Sequence, residues 1–406
     1  MADSAPVLTD SRWLPKVAVL AFGTFAVGTD AFVIAGLLPD ISHSFSVSVA
    51  AAGQLVSVFS FAYAVLSPVL TVLTGRWSRR TVLITALLVF AVGNVATALM
   101  PNYPLVMAAR ILAAAGAALF TPNAGATAAA IAGDQRRGQA IAVVTVGLTS
   151  SLVLGAPLGT AIGNAWGWRA TMWVIAAMAV LIVPIIMLGL PSIQLGNATS
   201  LRQRLAPLAD ARVVRVLLGT LLAFIGIYVP LTYISAVFGP SLGGDNNRVA
   251  LLLLAYGLAG TAGNLIAGKL ADRYGPQRVV IAATLALTVI FLAMLPIRSS
   301  FAAALPVVAL SGIASWSVTA PQQHRVIALS PAGAGPLAVS LNAAVLYLAI
   351  SISGVLGAMG LNVFGSAAAL PVLAAVFVLA AAVVTWLSAG AEQRALTAKA
   401  EEPVKA

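Results

Sequence analysis

The chain has 406 residues, of which 61% are hydrophobic and only 8% charged, a balance that excludes a soluble globular domain and points to a polytopic membrane protein. Its net charge of +11 sits in short connections between apolar runs and is not interleaved with aromatic residues, which argues against nucleic-acid binding. With no cysteine present, disulfides, thiolate metal sites and cysteine nucleophiles are excluded.

The apolar runs are continuous rather than alternating, so the spans are helices and not barrel strands. Residues 1–16 read as a polar tail without a cleavable signal, and Val17–Leu38 as a retained first span. This 22-residue run contains one charge, Asp30. By helical rise it lies roughly 20 Å from one end and roughly 12 Å from the other. A carboxylate at that depth is costly in lipid and reads as a titratable site on a transport pathway; the alternative is a packing aspartate satisfied by neighbouring hydroxyls.

Gly36 and Pro39-Asp40 are read as closing the first span, and the second runs over Val49–Leu73. After the basic loop Thr74–Arg80, with Arg76, Arg79 and Arg80, the third continues to Met100. The fourth covers Leu105–Ile131 and holds a second intramembrane charge, Arg110. The fifth reaches Asn164 and the sixth ends at Leu190, after the interfacial turn Trp166-Gly167-Trp168-Arg169. The longest polar interval, 191–212, precedes six further spans at 213–238, 249–271, 278–296, 302–329, 337–364 and 368–388.

Sorted by alternate sides, every Lys and Arg except Arg110, Arg169, Arg248 and Arg298 falls on the N-terminal side, which places both termini in the cytoplasm. Thr121-Pro122-Asn123 late in the fourth span is echoed by Ala320-Pro321-Gln322 late in the tenth. The expected fold is an all-α integral membrane protein of twelve transmembrane helices in two six-helix pseudo-repeat bundles. It divides into a cytoplasmic tail (1–16), an N-terminal bundle (17–190), a cytoplasmic linker (191–212), a C-terminal bundle (213–388) and a cytoplasmic tail (389–406). A substrate site is expected between the repeats.

Arg110 lies about 8 Å below the outer end of its span, a depth comparable to that of Asp30. The two can share one cavity, where a positive neighbour favours the ionised carboxylate. The alternative is an arginine that snorkels to the interface.

The loop Gly268-Lys269-Leu270-Ala271-Asp272-Arg273-Tyr274-Gly275-Pro276-Gln277-Arg278 resembles the signature loop of the major facilitator superfamily. Its glycines would allow a tight turn, and Asp272 could hold basic residues in a latch that opens and re-forms. The first-half copy keeps Arg76, Arg79 and Arg80 but has Gly75 in place of the Asp and Ser78 in place of the second glycine. Over nearly the whole chain the resemblance is to the twelve-span drug:proton antiporter branch, similar to sugar and purine efflux permeases and chloramphenicol exporters. There Asp30 occupies a position that is often acidic, and Arg110 with Gly116 and Ala118 looks like the span-four arginine motif, with Ala113 and Ala114 replacing its glutamine and first glycine. Gly147, Gly155, Pro157 and Gly159 resemble the span-five antiporter motif, with Ala156 separating the usual Gly-Pro pair. Small residues at this spacing let helices approach, and Pro157 can bend the span.

The resemblance implies a proton-coupled exporter of a small organic molecule (drug, sugar or nucleoside-like), in a bacterial inner membrane, functional as a monomer and using no cofactor or metal. Asp30 would carry the proton and Arg110 would modulate it. Tyr63, Asn123, Tyr228, Tyr233, Gln322 and Asn342 are polar candidates for the cavity, or else helix–helix hydrogen bonds. The same fold could serve an importer. An intramembrane enzyme would need paired acids, a metal cluster or a serine–base pair, which one Asp and one Arg do not supply. The letters of a phosphate loop at Gly263–Lys269 end a membrane span and are followed by Leu270 where a Ser or Thr is required, those of a nucleophile elbow at Gly239–Gly243 lie in an outer loop without a strand, and His43 and His324 have no metal-ligand companions.

Orientation is testable without background thiols. Single cysteines at Asn197 and Ala398 should react with an impermeant maleimide only from the cytoplasm, and one at Gly244 only from outside. A reversed pattern would overturn the assignment.

Overall fold

The computed structural model describes residues 13–193, 206–245, 247–330 and 335–401. The described residues form helices and no strand. We label the long helices α1 (Trp13–Phe45), α2 (Val49–Leu73), α3 (Arg79–Leu99), α4 (Tyr103–Ala132), α5 (Arg137–Trp166), α6 (Trp168–Gly189), α7 (Ala211–Thr232), α8 (Asn247–Tyr274), α9 (Pro276–Ile297), α10 (Phe301–Leu329), α11 (Gly335–Phe364) and α12 (Ala369–Glu401). All twelve contain a stretch long and apolar enough to cross a membrane. Large apolar side chains such as Trp166, Leu188, Val289 and Val363 are exposed, as suits a surface solvated by lipid rather than water.

Helix starts follow local chemistry. Ser78 caps α3 by accepting from the Thr81 N–H, and Asn102 caps α4 by accepting from the Leu105 N–H at 3.1 Å, with Pro104 in the first turn. Prolines, by contrast, do not stop these helices. α1 continues through Pro39 to Phe45, where the sequence reading closed it, and α2, α4, α6, α7, α9 and α10 also contain internal prolines. Buried helix–helix contacts supply the support that a lone helix lacks when a proline removes an N–H.

Two further boundaries and the interior of one helix differ from expectation. The seventh span ends at Thr232 rather than at 238. Tyr233 leaves the helical region (φ −107°, ψ 32°), and two single-turn helices, Ile234–Val237 and Gly239–Leu242, follow. The last helix runs on to Glu401 instead of ending at 388. Within α5 the segment Ser151–Gly155 is a π-helix, in which the Ala156 N–H bonds back to the Ser151 carbonyl. Pro157, two residues later, has no N–H to offer the Val153 carbonyl, so the α-helical ladder is broken at this point. The centre of the 191–212 linker, with Asn197, lies outside the described residues.

The chain packs into two compact units, Met1–Val33 with Val65–Thr199, and Ile34–Ala64 with Ser200–Ala406. In the first unit α3 packs on α4 and α6; in the second α9 packs on α10 and α12, the same pairing six helices later. The second unit is completed by α7 against α11 and α12 and by α8 against α10.

Small residues on α5 let α1 approach in the first unit. A Cβ built on Gly147 would lie 2.0 Å from the Ala21 carbonyl oxygen, one on Gly155 would lie 2.0 Å from Thr29 Oγ1, and one on Gly159 would lie 2.6 Å from Val33. The span-five motif is thus the seam that α1 lies against. Thr24 reinforces it by donating to the Val144 carbonyl at 2.8 Å.

Gly155→Ala should destabilise the protein by about 1–3 kcal/mol, the usual range for overpacking. Thr29→Ala should partly rescue it, because the nearest obstacle is a removable hydroxyl. Gly147→Ala meets backbone and should find no such rescue. Thermal unfolding in detergent reads both outcomes.

Candidate functional site

Asp30 on α1 and Arg110 on α4 meet inside the first unit. Arg110 Nη1 donates to Asp30 Oδ1 at 2.6 Å, and the side chains are 1% and 0% exposed. The structure therefore brings together the two intramembrane charges of the sequence, and Arg110 does not snorkel outward. A pair so enclosed gains strong attraction only after both ions have lost their water, so the remaining polar atoms around it matter. Asp30 Oδ2 is buried without a hydrogen-bond partner.

A third polar group completes the site. Asn94 on α3 is fully buried, and its side chain lies within interaction range of the Asp30 carboxylate. Its Nδ2 donates to the Phe90 carbonyl at 3.1 Å. On the α5 side the chemistry is neutral: Ser151 packs against Gly28, and Gly155 against Thr29. The sequence reading passed over Asn94, Thr24 and Ser151. Asn94 was visible as a strongly polar residue in the otherwise apolar third span, but helical spacing alone does not say which neighbour it faces.

The other site residues of the first unit lie apart from this pair. Arg79 donates through Nη1 to Asn123 Oδ1, and its backbone N–H bonds to the Ile193 carbonyl at 2.9 Å. Asn123 also donates to the Leu119 carbonyl at 2.6 Å. Arg76 is exposed and Arg80 is half-buried.

In the second unit Gln322 and Asn342 share one buried network through Thr220. Gln322 Nε2 donates to Thr220 Oγ1 at 3.2 Å, and Thr220 donates to Asn342 Oδ1 at 2.9 Å. Arg325, near the cytoplasmic end of the tenth span by sequence, is buried in α10. It donates to Gln322 Oε1 at 2.6 Å and to Ser388 Oγ at 3.0 Å. Thus the amide late in α4 accepts from Arg79, and its echo late in α10 accepts from Arg325.

The three tyrosines take three different roles in the same unit. Tyr63 stacks on Tyr347 with ring centroids 3.7 Å apart. Tyr233 donates to the Gly354 carbonyl at 2.7 Å, and Gln54 Nε2 donates to the same carbonyl at 3.1 Å. Tyr228 is buried against Phe224. A small cavity of about 20 Å³, roomy enough for a single water, lies among Ile227, Tyr256, Phe291, Ser311 and Ser315.

The second basic loop is open. Gly275 turns the chain at φ +88°, a conformation glycine adopts without strain, but Gly268 lies inside α8 and takes no part in the turn. Asp272 is exposed and joins no other described residue by a hydrogen bond or ion pair, while Arg273 lies over the Tyr274 ring at 5.2 Å. Arg278 is exposed early in α9.

Twelve membrane-length helices among the described residues, with a buried charge pair inside the first unit, define a polytopic membrane protein, and comparison with known sequences supplies the family. The chain belongs to the Major Facilitator Superfamily, whose profile matches residues 20–237 and 216–406. It is 33% identical over 343 residues to the MFS-type transporter YbcL of Bacillus subtilis, covering 84% of this chain and 87% of that protein. It is 29% identical to the inner membrane transport protein YdhP of Escherichia coli, over 91% and 95% of the two chains. A chloramphenicol resistance protein of Streptomyces lividans is 33% identical over 66% of this chain and 70% of its own. Among solved structures, a D-xylose-proton symporter superposes with a TM-score of 0.74 at 19% identity, covering 92% of this chain and 97% of that one. This last likeness is one of fold. The protein is a multi-pass membrane transporter of this superfamily.

Removing one partner of a buried ion pair strands the other charge. Arg110→Gln alone should therefore cost about 3–5 kcal/mol of stability, and Asp30→Asn with Arg110→Gln should recover much of it. Thermal unfolding of the two single variants and the double variant in detergent checks this; equal and additive losses would mean the pair is not coupled.

Proposed function

We propose that the protein is a proton-coupled exporter of a small organic molecule, working by alternating access, with Asp30 as the coupling carboxylate. The observation that carries the reading is the Asp30–Arg110 pair, an acid fully enclosed in the first unit and held by a cation from another helix. An exchanger needs one site whose protonation changes the affinity for substrate, and linkage makes that effect reciprocal. Gain of a proton at Asp30 would weaken the hold on Arg110 and free α4 to shift against α1. Export, rather than import, is supported by the span-five glycine pattern and by the name of the Streptomyces relative. On this reading the six-helix bundles 17–190 and 213–388 are the two moving parts, both termini lie in the cytoplasm of a bacterial inner membrane, and one copy suffices.

With one carboxylate, exchange of a neutral molecule for one proton moves net charge, whereas exchange of a monovalent cation for one proton moves none. A panel of drugs, pentoses and nucleosides in everted vesicles identifies an exported compound. With that compound, and with pH gradient and membrane potential clamped separately, Asp30→Asn should abolish uphill transport and leave downhill exchange. Where the single variant is too unstable to purify, Asp30→Asn with Arg110→Gln serves. Uphill transport by either variant under a pH gradient alone would place the coupling site elsewhere.

The loop Gly268–Arg278 is read as a latch between conformations, with Asp272 free to engage a basic partner in another state. Asp272→Asn should slow transport several-fold while substrate affinity stays within about two-fold. Equal loss of binding and transport would assign the loop to the binding site instead.

A further inference from the structure

We propose that Asn94 is the third member of the coupling site, a positioning residue whose amide serves the Asp30 carboxyl in both of its protonation states. The proposal deepens the reading of Asp30 as the proton carrier and rests on it. Asp30 Oδ1 is occupied by Arg110, while Asp30 Oδ2 and Asn94 Oδ1 are both buried acceptors without a hydrogen-bond partner. Each such orphan is costly, because a buried acceptor has given up its water without gaining a partner. A single proton on Asp30 Oδ2 turns one acceptor into a donor and lets Asn94 Oδ1 accept from it, removing both deficits with one bond.

The ionised state is served by the other end of the amide. Asn94 Nδ2 carries two hydrogens, of which the Phe90 carbonyl takes one at 3.1 Å, leaving the second for the carboxylate. An apolar side chain of similar size could serve neither state, and a lysine or a carboxylate could serve only one. The surroundings leave this task to Asn94. Around Asp30, α4 brings Arg110 as the charged group, α3 brings Asn94, and α5 brings the uncharged Ser151 and Gly155 against Gly28 and Thr29. The proton comes from water on one side of the membrane and returns to water on the other. Asn94 exchanges hydrogen bonds only.

The test needs no substrate. Protonation of a buried carboxylic acid appears in pH-difference infrared spectra as a carbonyl band, and loss of that band in purified Asp30→Asn assigns it to Asp30. Asn94→Thr and Asn94→Val differ by one hydroxyl in place of a methyl, and a hydroxyl can both donate and accept. The assigned band should stay near its wild-type position in Asn94→Thr and move to higher wavenumber in Asn94→Val, where the acid proton has lost its acceptor. Should Asn94→Val fail to purify, Asn94→Ser against Asn94→Ala makes the same comparison. An unshifted band in the apolar variant, or the same shift in both members of a pair, overturns the role of Asn94 and leaves the coupling role of Asp30 intact. Absence of any Asp30-dependent band overturns the coupling reading itself, and this proposal with it.

Discussion

A carboxylate enclosed in a bundle of apolar helices has to be met by groups from other helices, because neither water nor lipid can solvate it there. In this protein that constraint falls on Asp30, and the first unit is arranged to answer it. Arg110 comes from α4 at 2.6 Å, Asn94 comes from α3, and α5 closes the remaining side with glycines and hydroxyls. The three consecutive helices α3, α4 and α5 are thereby tied to one turn of α1. Any motion that separates α1 from α4 must deal with the charge left behind, which makes the pair a natural point at which protonation can act on conformation.

The break in α5 sits beside this point. The π segment Ser151–Gly155 faces Gly28 and Thr29, the two residues that precede Asp30. There the ladder is weakened by Pro157 while the helix surface is kept flat by Gly155 and Gly159. Close packing and a soft backbone therefore coincide at the same level of the bundle. A bulky side chain at these positions would push α1 away and with it the carboxylate.

The second unit repeats the helix pairing without repeating the chemistry. α9 meets α10 and α12 as α3 meets α4 and α6, and an amide late in α10 accepts from an arginine as one late in α4 does. The arginine, however, comes from the start of α3 in one unit and from α10 itself in the other. Around Thr220 the second unit builds a network from amides, hydroxyls and Arg325, whereas the first holds an acid–base pair. The repeat constrains backbone packing, which depends on small and apolar residues common to both halves; the polar groups placed within it are free to differ.

Hydrophobic run lengths, the distribution of Lys and Arg and the loop motif were enough to establish twelve spans and the family, because membrane insertion is governed by local composition and each span must satisfy its own backbone. They also singled out Asp30 and Arg110, since an intramembrane charge is conspicuous in any apolar run. Contacts between helices were not legible in the same way. That Arg110 turns inward to Asp30, that Asn94 joins them, and that Arg325 turns to Gln322 and Ser388 all depend on helix rotation, which only packing against neighbours decides. The prolines mislead for a related reason: Pro39 breaks an isolated helix but not one braced on its flanks, so α1 runs on to Phe45. The break at Tyr233 and the π turn at Ser151–Gly155 likewise arise where backbone hydrogen bonds are set by tertiary contacts and not by the residues of the segment alone.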